Sequence, residues 1–259
     1  MEMTPVDLYY EEHGQGIPAV FLHGFPFDHT IWEPLVPLLK NTARVILPDL
    51  RGFGSSPVTE EIYSMRLLAE DIVRLLDRLE LEKAVLVGHS MGGYVALSFA
   101  QAYPTRLLGL GLVATQAAAD TPERRQSRYK TAESVMHKGA RVVASSMVNS
   151  LTSRQDLIEP ISQLILRTHP AGIVGALKGM AERHDMTGEL SNFGVPAVVI
   201  AGTSDQLMPR DRVETLAQML PKGWLVDVPG GGHMLMMEEP QTVADALRQL
   251  FDMAKSNGK

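Results

Sequence analysis

The hydrophobic pattern changes period several times along the chain, and each change marks an element. Short apolar runs at Ala19–His23, Arg44–Pro48, Ala84–Val87, Leu107–Ala114, Val195–Ala201 and Trp224–Val228 predict strands covered on both faces. Val6–His13 alternates weakly before Gly14 and Gly16, as an edge strand entering a turn does. Between these runs the spacing turns helical. Leu67, Leu68, Ile72, Leu75, Leu76 and Leu79 share one face, while Arg66, Glu70, Asp71, Arg74, Asp77 and Arg78 take the other. Further helices are predicted at Trp32–Leu39, from Tyr94 onward, over Pro209–Leu220, and from Pro240 through Phe251 toward a frayed tail, KSNGK. Strand and helix alternate, so the fold class is α/β, with a mostly parallel sheet covered by helices on both faces.

One region breaks the alternation. From Thr115 to Glu189 no strand pattern occurs, only helical segments. Thr121-Pro122-Glu123 reads as an N-cap, a first-turn proline and an early acid, opening a helix that ends near Gly139. Others follow at Val142–Val148, around Leu157–Arg167 where Pro160 disturbs the run, and from Pro170. The chain thus divides into a core formed by residues 1–114 and 190–259 and a helical cap inserted at 115–189. No repeat or low-complexity linker separates them.

Composition narrows the chemistry. The chain has 259 residues, enough to bury a large core without staples, and it contains no cysteine. Disulfides, thiolate metal sites and a cysteine nucleophile are therefore excluded. A formal net charge of −6 argues against nucleic acid as a partner. The N-terminal MEMTPVDLYYEEHG lacks the basic start and apolar core of a signal peptide, and no run reaches transmembrane length. A cytoplasmic protein with no membrane partner is expected.

The strongest chemical signal lies where the run Ala84–Val87 meets the helix beginning at Tyr94, across Gly-His-Ser-Met-Gly-Gly. Strand, Gly-x-Ser-x-Gly and helix form a nucleophile elbow. Its turn is too sharp for side chains beside the serine, which Gly88 and Gly92 remove. Gly93 lets the helix approach the sheet. Ser90 is then presented at a helix N-terminus, whose free N–H groups favour an oxyanion. A serine hydroxyl needs a base, and the base needs an orienting acid. Of eight histidines, His233 follows Gly230–Gly232 directly after a strand end, where a loop can carry an imidazole to Ser90. His23 and His89 are read as holding loops together; His13, His29, His137, His169 and His184 have no such context. Asp205, just past the strand Val195–Ala201, is the leading acid, with Asp120 at the cap's threshold as the alternative. Oxyanion donors are expected at the Met91 N–H, after the nucleophile, and at the Phe25 N–H, where Gly24 permits close approach.

These pieces resemble one family. HGFPFDHTIW at 23–32, PDLRGFGSS at 48–56, GHSMGG at 88–93, AGTSDQLMP at 201–209 and PGGGHMLMMEEP at 229–240 follow in the order of an α/β-hydrolase with a helical cap. Within that family the chain is similar to small carboxylesterases and 3-oxoadipate enol-lactonase-like proteins. The resemblance implies structural roles for Asp49 and Arg51, and has Glu238 support the histidine loop or cap the last helix. Serine at the elbow speaks against haloalkane and epoxide hydrolysis, whose relatives carry aspartate there. Phe25, where peroxidase-like members often carry tryptophan, weakens a peroxidase reading.

The expected activity is ester hydrolysis through an acyl-enzyme on Ser90, His233 and Asp205, needing neither metal nor organic cofactor. Met136, Met147, Met180, Met208, Met234, Met236 and Met237 are candidates for an adaptable apolar substrate pocket, with ordinary core filling the alternative for each. Gly24 and His89 are placed beside it. Arg124, Arg125 and Arg128 with Lys130 would suit a substrate carboxylate, as in an enol-lactone, or an acidic acyl-carrier protein, or they form a solvated helix face. A small-molecule receptor built on the same fold is the rival from outside catalysis. The sequence sets no oligomeric state.

Overall fold

A computed structural model describes residues 4–257. Its seven strands are β1 (Tyr10–His13), β2 (Ile17–Leu22), β3 (Ala43–Pro48), β4 (Ala84–His89), β5 (Leu107–Val113), β6 (Ala197–Gly202) and β7 (Gly223–Val228). They form one sheet in the order β1-β3-β2-β4-β5-β6-β7. Only β1 is antiparallel, pairing Tyr10 with Pro48 and His13 with Val45 at the edge. Every residue of β4 is buried, the environment its unbroken apolar run requires.

The helices are α1 (Val36–Leu39), α2 (Met65–Arg78), α3 (Met91–Ala102), α4 (Pro122–Lys138), α5 (Arg141–Leu151), α6 (Gln155–Leu166), α7 (Pro170–Ala181), α8 (Arg210–Met219), α9 (Leu235–Glu238) and α10 (Pro240–Asn257). Their starts follow local chemistry. The Ser64 hydroxyl accepts from Leu67 N–H at 3.1 Å to open α2, and Thr121 caps α4 by accepting from Arg124 N–H at 3.3 Å, with Pro122 in the first turn. Helices α4 to α7 all lie between β5 and β6, with a 3₁₀ turn at Thr187–Asn192 after them, and α4 packs along α7 while α5 packs along α6.

Some elements differ from expectation. Val6–Tyr9 is outside the sheet ladder; its N–H groups bond side chains, Val6 to Asp71 at 2.8 Å and Tyr9 to Ser56 at 2.9 Å. The helix expected at Trp32–Leu39 is a 3₁₀ turn over His29–Leu35 followed by the short α1, because Pro34 and Pro37 each withdraw an N–H donor. Pro160 lies inside α6 without ending it. The expected frayed tail is helical through Asn257, and Gly258 and Lys259 lie outside the described residues. Helix α9 has only four residues, too few for a period to register.

The long loop after β3 is stapled from within. The Asp49 carboxylate accepts from the His29 backbone N–H at 2.9 Å, from His29 Nδ1 at 2.7 Å and from Ser55 N–H at 2.8 Å. Arg51 is fully enclosed. It forks onto the buried Asp71 at 2.8 and 2.6 Å, also meets Glu61, and donates to the Thr4 carbonyl at 3.0 Å.

Candidate active site

The chain leaves β4 and enters α3 through Ser90, whose backbone sits at φ 50° and ψ −111°. For a residue with a Cβ this conformation costs about 1–3 kcal/mol and persists only where the surroundings impose it. They do so here. The Ser90 N–H donates to the Val113 carbonyl at 2.9 Å, and its carbonyl accepts from the Thr115 hydroxyl at 2.8 Å. A Cβ on Gly88 would collide with the Gly92 backbone, and one on Gly92 with the Leu22 carbonyl, so both positions require glycine. The result is a half-buried Ser90 held at the N-terminus of α3, over the C-terminal edge of the sheet.

His233 is brought there from the loop after β7. Its Nδ1 lies 2.8 Å from Asp205 Oδ2, and both side chains are almost wholly buried. Asp205 sits just past β6, as expected from its sequence position. Its other oxygen accepts from Leu207 N–H at 2.8 Å and Met208 N–H at 3.2 Å. Burial pushes the Asp205 carboxyl up, but the nearby His233, its hydrogen bond and these two N–H donors outweigh that and hold it below the usual carboxylate range. An ionised Asp205 fixes the imidazole proton on Nδ1 and leaves the Nε2 lone pair free.

The residue before the serine completes the arrangement. His89 is fully buried, its Nε2–H donates to the His233 carbonyl at 3.0 Å, and the two rings lie 4.8 Å apart between centroids. Burial, and then the nearby His233, hold His89 well below the ordinary histidine range, so it is neutral and the Nε2–H tautomer is the one that donates. Its Nδ1 has no hydrogen-bond partner among the described residues. That ring edge faces Gly24, where a Cβ would run into it. The sequence reading of His89 as a loop-holding residue thus acquires a definite partner, the histidine loop. His23 holds the other side: Nδ1–H donates to the Gly24 carbonyl at 3.0 Å and Nε2 accepts from Leu50 N–H at 2.9 Å.

Gly24 and Phe25 lie at the end of β2, beside the elbow, and Met91 opens α3. Among the described residues no backbone carbonyl accepts from the N–H of Phe25 or Met91. Glu238 accepts from Gly232 N–H beside His233, and its second oxygen is buried with no partner among the described residues.

Other expectations are redistributed by the fold. Asp120, the alternative acid, is engaged by Arg128, Arg124 and Arg183, the last at 2.8 Å, while the acid bonded to His233 is Asp205. Arg128 therefore does not belong to a solvated face: it points inward, touching Asp120 and the Met180 sulfur at 3.4 Å. Arg125 and Lys130 do remain exposed. Met136 cannot line a pocket, being 60% exposed on the outside of α4. Met180, Met208, Met234 and Met236 are buried, and Met147 and Met237 are half-buried. Met208 shares a cavity of about 470 Å³ with Asp205. A second cavity, of about 430 Å³, opens along α3 and is lined by Tyr94, Leu97, Gln116, Arg183 and Met186.

Sequence reasoning missed Thr115 and the contacts that reach the site from α5 and α6. Leu151 acts there through its carbonyl, a group present in every residue and so without any sequence signature. Thr115 directly follows β5, and its hydroxyl anchors the elbow by donating to the Ser90 carbonyl.

An open, mostly parallel sheet with a strained serine between its central strand and the following helix defines the alpha/beta hydrolase class. The chain belongs to that family: residues 18–240 match the family described as alpha/beta hydrolase fold. Among its relatives, it is 30% identical over 244 residues to a pimeloyl-(acyl-carrier protein) methyl ester esterase of Aeromonas hydrophila, covering 89% of this chain and 94% of that protein. It is 29% identical to 3-oxoadipate enol-lactonase 1 of Acinetobacter baylyi over 88% of this chain and 86% of that one. A solved thermophilic esterase from Thermogutta terrifontis superposes with a TM-score of 0.94 at 38% identity, covering 98% and 96% of the two chains.

Proposed function

We propose that the protein is a serine carboxylesterase that hydrolyses small to medium carboxylic esters through an acyl-enzyme. The observation that carries this reading is the buried Asp205–His233 pair, whose histidine loop is tied to His89, the residue preceding Ser90. In this mechanism His233 Nε2 takes the Ser90 proton as Oγ attacks the ester carbonyl. The Asp205 carboxylate stabilises the imidazolium, and the Phe25 and Met91 N–H groups receive the oxyanion. His233 then protonates the leaving alcohol. Water, activated by the same imidazole, releases the acid and restores Ser90.

The esterase and lactonase relatives support the same bond class. Between their substrates, engagement of Arg124 and Arg128 by Asp120 favours an uncharged ester over a carboxylated lactone, since those guanidiniums already have a counter-ion. The test is a p-nitrophenyl ester series of increasing acyl length, run beside a carboxylated enol-lactone and a carrier-linked methyl ester. Short to medium p-nitrophenyl esters should turn over repeatedly, and Ser90→Ala should lower kcat by about 10⁴-fold or more. Near-wild-type hydrolysis by purified Ser90→Ala would refute the mechanism. Binding without repeated turnover would point to a receptor.

A further inference from the structure

The insertion between β5 and β6 reaches the site at two places, and one helix joins them. At the end of α5 the Leu151 carbonyl accepts from the His233 backbone N–H at 3.0 Å, and just before α6 Arg154 Nη1 donates to the Glu238 carbonyl at 3.1 Å. Glu238 in turn holds Gly232, next to the histidine. The His233 peptide is therefore gripped on both sides, by α5 at its N–H and by His89 at its carbonyl. At the C-terminal end of α6, Arg167 forks onto Asp28 at 2.8 and 2.7 Å, and the buried Thr168 hydroxyl donates to the Pro26 carbonyl at 2.7 Å. Pro26 directly follows Phe25, and the Asp28 side chain is almost wholly buried, so this grip holds the loop that carries the proposed oxyanion donor.

The helix between the grips has twelve residues, about 18 Å at 1.5 Å per residue. Its inner face is anchored by Ile161 and Ile165, both fully buried. A packed helix of that length resists compression, so whatever fixes one end constrains the other. We propose that residues 151–168 form a brace holding the histidine loop and the oxyanion loop at a set separation, with Arg154 and Arg167 as positioning residues. The inference deepens the esterase reading and rests on it for its kinetic consequence. It also makes this part of the insertion a fixed support rather than a lid that swings free.

The kinetic test is a double-mutant cycle with Arg154→Met and Arg167→Met, both at side chains about half exposed in the native protein. Each single variant should lower kcat on p-nitrophenyl acetate by about fivefold to tenfold, with KM within about twofold, since sub-ångström misplacement acts on the reacting geometry. Sites this far apart normally act independently. A brace predicts otherwise: once one end is released, releasing the other adds little, and the double variant stays within about threefold of the slower single variant. A loss equal to the product of the two singles would overturn the brace.

Hydrogen exchange tests it without reference to activity. In Arg167→Met, the peptide spanning residues 229–237, at the far end of α6, should exchange at least about threefold faster, while a β4 peptide exchanges as in the wild type. Unchanged exchange at 229–237, or equal acceleration in β4, would overturn the brace. If the wild type hydrolyses no ester, the esterase reading fails and the exchange result still decides the brace.

Discussion

Asp205 illustrates how a single carboxylate links chemistry to stability. Its folded-state pKa is depressed, because His233 and two backbone N–H donors outweigh the cost of burial. The unfolded chain therefore binds its proton more readily than the native protein does. The stabilisation is present above the unfolded value of about 4 and is lost as pH falls through the lower folded value. The Asp205 carboxylate is thus charged at neutral pH. In Asp205→Asn the amide no longer fixes the imidazole tautomer, and kcat should fall by roughly 10⁴-fold. Its urea-unfolding free energy should also depend less on pH below about 4 than that of the wild type.

Among the elements, the turns at the C-terminal edge of the sheet set the geometry. The β4–α3 turn places Ser90, and the β2 exit places Gly24 against His89. A methyl on Gly24 would meet the His89 ring, which is itself bonded to the histidine loop. Gly24→Ala should therefore displace the oxyanion loop or the imidazole, and a displacement near 1 Å is worth about 100-fold in rate. The expected outcome is a loss of kcat of that order with a thermal midpoint lowered only modestly, measured by steady-state kinetics and calorimetry. Wild-type kcat in Gly24→Ala would show that this contact does not set the reacting geometry.

Across the whole molecule, one enclosed charge pair ties the N-terminal segment, the β3 loop and α2 together. Arg51 bonds Asp71 and the Thr4 carbonyl, and Asp71 also accepts from Val6 N–H. Burial raises the Asp71 carboxyl above its ordinary value against the pull of Arg51, so the pair carries a desolvation cost throughout. Removing one partner of a buried pair costs about 3–5 kcal/mol; without Asp71, Arg51 keeps Glu61 and the Thr4 carbonyl, which places the loss near the lower end of that range. Asp71→Ala should lose stability of that size in urea unfolding, while kcat of the folded fraction is largely retained. A change below about 1 kcal/mol would mean that water reaches Arg51 once the carboxylate is gone.

How much of this could be read from the chain follows from how far each signal reaches. The strands were legible because β4, β5 and β6 are apolar on both faces, and α2 because one stripe faces the sheet. The helical insertion announced itself through Thr121-Pro122 and Pro170 at helix starts. The elbow was legible because its collisions are local and demand glycine within two residues of Ser90. Val6–Tyr9, whose N–H groups go to distant side chains rather than to a strand, carries no local signal of that, since nothing nearby records the partners. The same holds for Arg128: its alignment with Arg124 and Arg125 suggested a surface cluster, and only the packing of α4 on α7 turned it toward Asp120.

The sequence by itself therefore determined the α/β alternation, the strained serine turn, and which histidine and aspartate stand at strand ends. All of these depend on steric and hydrophobic demands within a few residues. Tertiary structure alone decided that His233 meets Asp205, that His89 clamps the histidine loop, and that α6 links that loop to the one bearing Phe25. Those contacts pair groups from separate parts of the chain, several through backbone atoms common to every residue, so only the folded path could select them.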